Sequence, residues 1–225
     1  SKVTTQGNLN VLNLEAGAIS TPDGEWDLRS EFTSKKGGVS YSAGPNTETY
    51  AVILKAVKDV DVKLESAKIT PDIYSIDAGG NVKITADKDL DAGTINAQNV
   101  NAEVTGDFAV GTIDVAEDMN INVGNNMRVT NILRGEEVHV DVANTFSGQS
   151  IIADVIDVDA NVINSLYTTV NETGNNPIMV GSSAGTISSK QGVINGLRGV
   201  VSLQADSSID VDKIVTNGGS INLTS

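Results

Sequence analysis

The feature that most limits what this chain can fold into is a repeat of 18 to 19 residues in which apolar side chains return to matching positions. Val82, Ile84 and Ala86 recur as Val100, Ala102 and Val104, then as Met119, Ile121 and Val123. The pattern continues as Val138, Val140 and Val142, and as Ile156, Val158 and Ala160. Within each triplet the spacing is two, so the three side chains share one face of a strand. A second apolar column follows at Leu90, Phe108, Met127 and Phe146, and a third at Ile95, Ile113, Ile132 and Ile151. Three short strands per turn, each with one face inward, predict an all-β fold, a parallel β-helix or β-solenoid of roughly ten coils. At about 4.8 Å per coil that is a rod about 50 Å long.

The repeat echoes outside the central block. Val201, Leu203 and Ala205 are followed by Ile209 and Val211 at the spacing of Val82 to Ala92, and Val52, Leu54 and Ala56 are followed likewise by Val60 and Val62. The string Ala92-Gly93-Thr94-Ile95 returns as Val110-Gly111-Thr112-Ile113, as Ala184-Gly185-Thr186-Ile187 and loosely as Ala16-Gly17-Ala18-Ile19. These echoes predict one solenoid domain over residues 1–225. Two stretches lack a clean register. Residues 20–50 hold Trp26, Phe32, Tyr41 and Tyr50, half of the eight aromatics, and read as a cap or lateral insertion. Residues 164–200 read as an irregular loop region. The four prolines, at 22, 45, 71 and 177, fall where the repeat is broken, because proline cannot donate to a sheet ladder.

Between the first and second strands lie short polar spacers, Asp87-Lys88-Asp89, Thr105-Gly106-Asp107, Gly124-Asn125-Asn126 and Ala143-Asn144-Thr145. Such residues permit tight turns and bond their own main chain. Stacked coil on coil, they predict polar ladders along one corner of the rod. Aromatic content of 4% fits a core made of a narrow stack of Val, Ile, Leu and Ala.

With no cysteine, neither a disulfide nor a thiolate metal site holds the fold. The formal charge of −14 argues against nucleic acid and anionic membranes as partners, since both would repel it, and no apolar run is long enough to insert in a membrane. The chain starts at Ser1 without methionine, which fits either a mature, processed product or an artificially trimmed chain. An extracellular or cell-surface location is the expectation.

The coils with their Ala-Gly-Thr-Ile and Thr-Gly-Asp-Phe strings, few aromatics and Asn/Asp/Gly turns resemble the filamentous haemagglutinin-like β-helix repeats of large bacterial exoproteins and adhesins. The resemblance is best over residues 80–160. It implies a secreted rod with a structural or adhesive role.

Parallel β-helices also carry polysaccharide lyases and hydrolases, whose chemistry would have to sit on the outward-facing columns. His139 and Asp157 stack beside Asp141 and Asp159, carboxylates one coil apart and about 4.8 Å from one another. Like charges that close are relieved by a proton or a cation, and calcium, which takes carboxylate oxygens, is the cation to expect at Asp141, Asp157 and Asp159. No other cofactor is indicated. Arg128 and Arg134 fall on other faces, so no base and charge stabiliser converge there as lyase chemistry requires, and no catalytic residue is assigned. Trp26 and Tyr41 are the rings on which a glycan would stack if the rod were an adhesin binding glycan or a host surface protein. The stub Ile221-Asn222-Leu223 reads as a strand that begins another coil, an edge at which a second copy can add by strand pairing. The reading that follows is a non-enzymatic extracellular subunit that assembles with itself into a fibre, sheath or matrix.

Overall fold

The computed structural model describes residues 2–12, 19–20, 26–27, 29–45, 47, 49–65, 71–148, 150–164, 168–170, 178–182, 186–197, 201–205, 208–216 and 219–225. They form a parallel β-solenoid of about eight turns, slightly fewer than the ten expected. Almost all strands belong to one continuous parallel ladder, and no helix occurs among the described residues.

Three faces repeat along the stack. The first face contains Leu9–Leu12, Val39–Ala43, Val60–Leu64, Val82–Ala86, Val100–Val104, Asp118–Val123 and the opening half of Glu137–Gly148. It continues through the opening half of Val155–Asn164, then Ile178–Ser182, Val201–Ala205 and Ile221–Thr224. The pairing is in register: Val82, Val100, Met119, Val138 and Ile156 are successive partners, so each apolar triplet lies directly on the one before. A slip of one residue would turn every one of these side chains outward, so the apolar pattern itself fixes the register. All fifteen side chains of the five triplets are buried.

The second face stacks Leu90, Phe108, Met127, Phe146, Ile163, Ile187 and Ile209. The third stacks Ile76, Ile95, Ile113, Leu133 and Ile151. Leu133 rather than Ile132 takes the inward place. The coil Met127–Arg134 holds one residue more than its neighbour at this bend, where the register shifts between Val110 and Thr112, and the extra residue rotates the next inward position onward by one.

Two other phases differ from the sequence reading. Val52–Ala56 pairs with Ser30–Ser34 and Asp72–Ala78 on the third face; the partner of Val82–Ala86 is Val60–Leu64. The spacing of two recurs on all three faces, so apolar alternation alone does not say which face a strand joins. For the same reason Ile187 sits with Ile163 on the second face although its string matches that around Ile95. Ala16, Gly17 and Ala18 lie outside the described residues.

Much of the expected cap at 20–50 is ordinary coil. Ser30–Ser34 and Val39–Ala43 pair in register on both sides. Phe32 and Tyr41 are core residues whose rings meet at 5.9 Å, which hid the repeat from a pattern of small aliphatics. Ahead of them, Ile19–Ser20 and Trp26–Asp27 form a separate antiparallel pair. In 164–200 the described strands Thr168–Val170, Ile178–Ser182 and Thr186–Leu197 continue the ladder, with register shifts between Ser189 and Val193 and between Asn195 and Leu197.

The recurrent Gly of the Ala-Gly-Thr-Ile string marks the bend between second and third faces. A Cβ at Gly93 would collide with the Tyr74 carbonyl oxygen of the coil before it, and one at Gly111 with the Gly93 carbonyl. Backbone must therefore touch backbone where the chain turns. Gly93→Ala is expected to cost about 1–3 kcal/mol in urea unfolding, whereas Gly7→Ala, which meets nothing within 4 Å, stays within about 0.5 kcal/mol of the parent.

Candidate functional site

Two polar ladders run along the stack, one at the turn that precedes the first-face strands and one at the corner that the spacers occupy. At one, the Asp59 Oδ1 accepts the Asn81 amide at 2.8 Å, the Asn99 Nδ2 donates to the Asn81 Oδ1 at 3.0 Å, and the Asn99 Oδ1 accepts the Asp118 amide at 2.8 Å. At the other, the Asp89 Oδ1 accepts the Asp107 amide at 2.8 Å, the Asp107 Oδ1 accepts the Asn126 amide at 3.0 Å, and the Asn126 Oδ1 accepts the Thr145 amide at 3.2 Å. Asp59, Asn99, Asp89, Asp107 and Asn126 thus each accept a turn amide one coil further on, satisfying a donor that the strand ladder leaves unpaired at the corner, while Asn81 and Asn99 bond side chain to side chain. The second ladder is the corner chemistry the spacers predict, and it is structural.

The acidic column on the first face also stacks as expected. Asp141 and Asp159 are register partners, as are His139 and Asp157. They border a shallow groove of about 290 Å³ with Asn120 and Asn122 on the preceding coil. His139 bridges two carboxylates, its Nε2 lying 3.4 Å from the Glu137 Oε2 and its Nδ1 3.6 Å from the Asp157 Oδ2. Burial, and then the like charges of Asp141 and Asp157, raise the Asp159 carboxyl above its ordinary 3.8. Among the described residues no three His, Asp or Glu side chains converge into a metal-ligand set, so the calcium expectation has no assembled cage here.

The glycan-stacking expectation for Tyr41 is overturned. Its side chain is 1% exposed, because Tyr41 holds the middle inward position of Val39–Ala43. Its hydroxyl lies 3.1 Å from the Thr49 Oγ1, and burial raises the phenol above its ordinary range, with the Thr49 bond a smaller opposing effect. Trp26 lies on the short antiparallel pair, and its side chain lies outside the described part. Among the described residues the exposed rings are instead Tyr50 and Tyr74, about half exposed each, and the Arg29 guanidinium lies 5.7 Å from the centre of the Tyr74 ring.

The Ile221–Thr224 stub is a true rung, paired with Val201–Ala205. Ile221 and Leu223 are 45% and 54% exposed. No described residue pairs with its outer edge.

A site not anticipated lies on the second face. Its outward column runs Asp72, Asp91, Ala109, Arg128 in register. Asp91, Ala109 and Arg128 share a groove of about 360 Å³ with Asp89, Asp107 and Asn126. Burial, then the charges of Asp72 and Asp89, raise the Asp91 carboxyl above its ordinary value. The signal was present in the sequence, since these four residues are separated by steps of 19, 18 and 19. It is visible only when polar columns are followed as the apolar ones were.

Comparison with known protein families, with curated proteins and with solved structures finds no match to this chain. What the fold defines is the class, an all-β parallel β-solenoid built from a coil repeat.

Asp107→Ala should cost about 1–2 kcal/mol in urea unfolding by orphaning the Asn126 amide, while Asp107→Asn, which keeps an acceptor oxygen, should recover most of it. The folded chain holds the Asp159 proton more tightly than the unfolded chain does, so ionising Asp159 opposes folding at neutral pH, and the opposition is relieved as pH falls towards the unfolded value. Asp159→Asn is therefore expected to raise the thermal midpoint at pH 7. The difference from the parent should close at about pH 4 in a calorimetric pH series.

Proposed function

We propose that this protein is an extracellular, non-enzymatic structural subunit that stacks end to end with copies of itself into a fibre, sheath or matrix. The observation that carries the reading is the match between the two outermost strands of the first face. Leu9–Leu12 reads Leu-Asn-Val-Leu and Ile221–Thr224 reads Ile-Asn-Leu-Thr. Laid in parallel register, Ile221 and Leu223 fall on Leu9 and Val11, and Asn222 falls on Asn10, which is the apolar, polar, apolar stacking of the interior first-face rungs other than Ile178–Ser182. Among the described residues each strand is paired on one side only. An unpaired parallel edge with exposed Ile221 and Leu223 at one end and exposed Val3 and Leu12 at the other is a surface that main-chain pairing would cover.

The resemblance of the coils to filamentous haemagglutinin-like repeats supports the same role, since those proteins are secreted rods. The net charge of −14 keeps free rods apart laterally and leaves the ends as the favourable contact.

Deleting residues 219–225 is expected to leave a folded chain with unchanged far-ultraviolet circular dichroism but no filaments by electron microscopy. Filaments of unaltered length and number from the truncated chain would sink the end-to-end reading.

A further inference from the structure

Two inward columns run from the first rungs of the stack to the last. On the third face, register pairing leads from Val3 through Phe32 and Leu54 on to Ile194 and Ile214. On the first face it leads from Leu9 through Val39 on to Val201 and Ile221. The step from one column to the other is six residues at the start, from Val3 to Leu9, and seven at the end, from Ile214 to Ile221. That mismatch already occurs inside the stack in the same order, where Phe32 and Val39, seven apart, pair with Leu54 and Val60, six apart. When Ile221 of one copy falls on Leu9 of the next, Ile214 therefore falls on Val3 in the same movement.

Resting on the end-to-end reading above, we infer that copies join through a double rung, on the third and first faces at once, and that ionic strength controls the joining through Lys213 and Lys2. Each of these lysines stands one place before the inward residue of its strand, Ile214 or Val3. The register that sets Ile214 on Val3 thus sets Lys213 of one copy on Lys2 of the next, one rung or about 4.8 Å away along the backbone. The apolar contacts of the junction favour it, since Val3, Ile221 and Leu223 are all exposed in the single chain. Val215 and Thr216 fall on Thr4 and Thr5, which carry no charge. The lysine pair opposes the junction, because like charges directly opposite on neighbouring strands repel. Glu31, one rung below Lys2, is already shared between Lys2 at 3.4 Å and Lys55 at 3.5 Å. Salt screens such exposed charges, over about 30 Å at 0.01 M and about 10 Å at 0.1 M. Chains stay dispersed in dilute salt and join as it rises.

The test is sedimentation and electron microscopy of the full chain in sodium chloride from about 10 mM to about 300 mM, with charge variants whose folding is checked by circular dichroism. Lys213→Glu makes the net charge of −14 still more negative, yet sets a carboxylate on Lys2 of the next copy. In dilute salt it should assemble at a protein concentration about fivefold below that of the parent. Lys88→Glu, the same change of charge at a spacer on the side of the rod, should not lower that concentration. The chain has no cysteine, so the register is read separately by mixing Lys2→Cys chains with Lys213→Cys chains under mild oxidation. Linked dimers should form well above the level that either variant gives alone or that Lys88→Cys gives with Lys213→Cys, because one rung is within disulfide reach. Linked dimers with no gain from Lys213→Glu overturn the lysine control and leave end-to-end stacking standing. Filaments without the specific linkage overturn the double-rung register. Neither filaments nor linked dimers at any salt concentration overturns both this inference and the stacking it rests on.

Discussion

The structure depends on one constraint, that each coil must hydrogen-bond to the next at the spacing of a parallel sheet. A parallel rung satisfies its backbone only through its two neighbours, so every position in a coil inherits a fixed partner about 4.8 Å away. Identity of role then follows identity of place. Apolar side chains stack on apolar ones in the core, corner Asn and Asp reach the amide one turn on, and glycine recurs where the chain bends against the carbonyl below it. Charge follows the same logic less comfortably. Asp141 on Asp159, and Asp72 on Asp91, are like charges that the ladder forces together, and burial and mutual repulsion raise one carboxyl of each pair.

The ladder also explains why opposite charges help where they can meet. Glu31 lies between Lys2 and Lys55 at 3.4 and 3.5 Å. Burial alone would raise its carboxyl, but the Thr33 hydrogen bond and the two lysines outweigh burial and hold it below its ordinary value. Asp91 and Arg128, separated by one alanine, get no such relief. A solenoid therefore writes its surface chemistry in columns, and small residues within a column decide which charges meet.

The class of fold was legible in the sequence because a single period governs it. The triplets from Val82 to Ala160 gave both the strands and their register, and the polar spacers gave the corner ladders. Phase was less legible. Val52–Ala56 carries the same alternation as the first face but lies on the third, and Leu133 displaces Ile132 because one additional residue at a bend leaves no mark in composition. Tyr41 misled for a related reason. A large ring in a segment without aliphatic repeats reads as surface, yet Phe32 and Tyr41 fill the same inward places that Ile and Val fill elsewhere. At the acidic column the stacking of Asp141, Asp157 and Asp159 was legible but their orientation was not, since a period cannot supply it. The Asp91 column lay in residues whose spacing was plain and whose common groove exists only in three dimensions.

The most direct test of this account is residue-resolved amide hydrogen exchange on dispersed chains and on assembled material. In both, the rungs between Val82 and Ala160 should be strongly protected in a pattern that repeats from coil to coil. The outer-edge amides of Ile221–Thr224 should exchange quickly in dispersed chains and become protected on assembly. Rapid exchange through Val82–Ala160 would contradict the coil ladder itself. Protection at Ile221–Thr224 that is the same in both states would contradict its continuation from one molecule to the next.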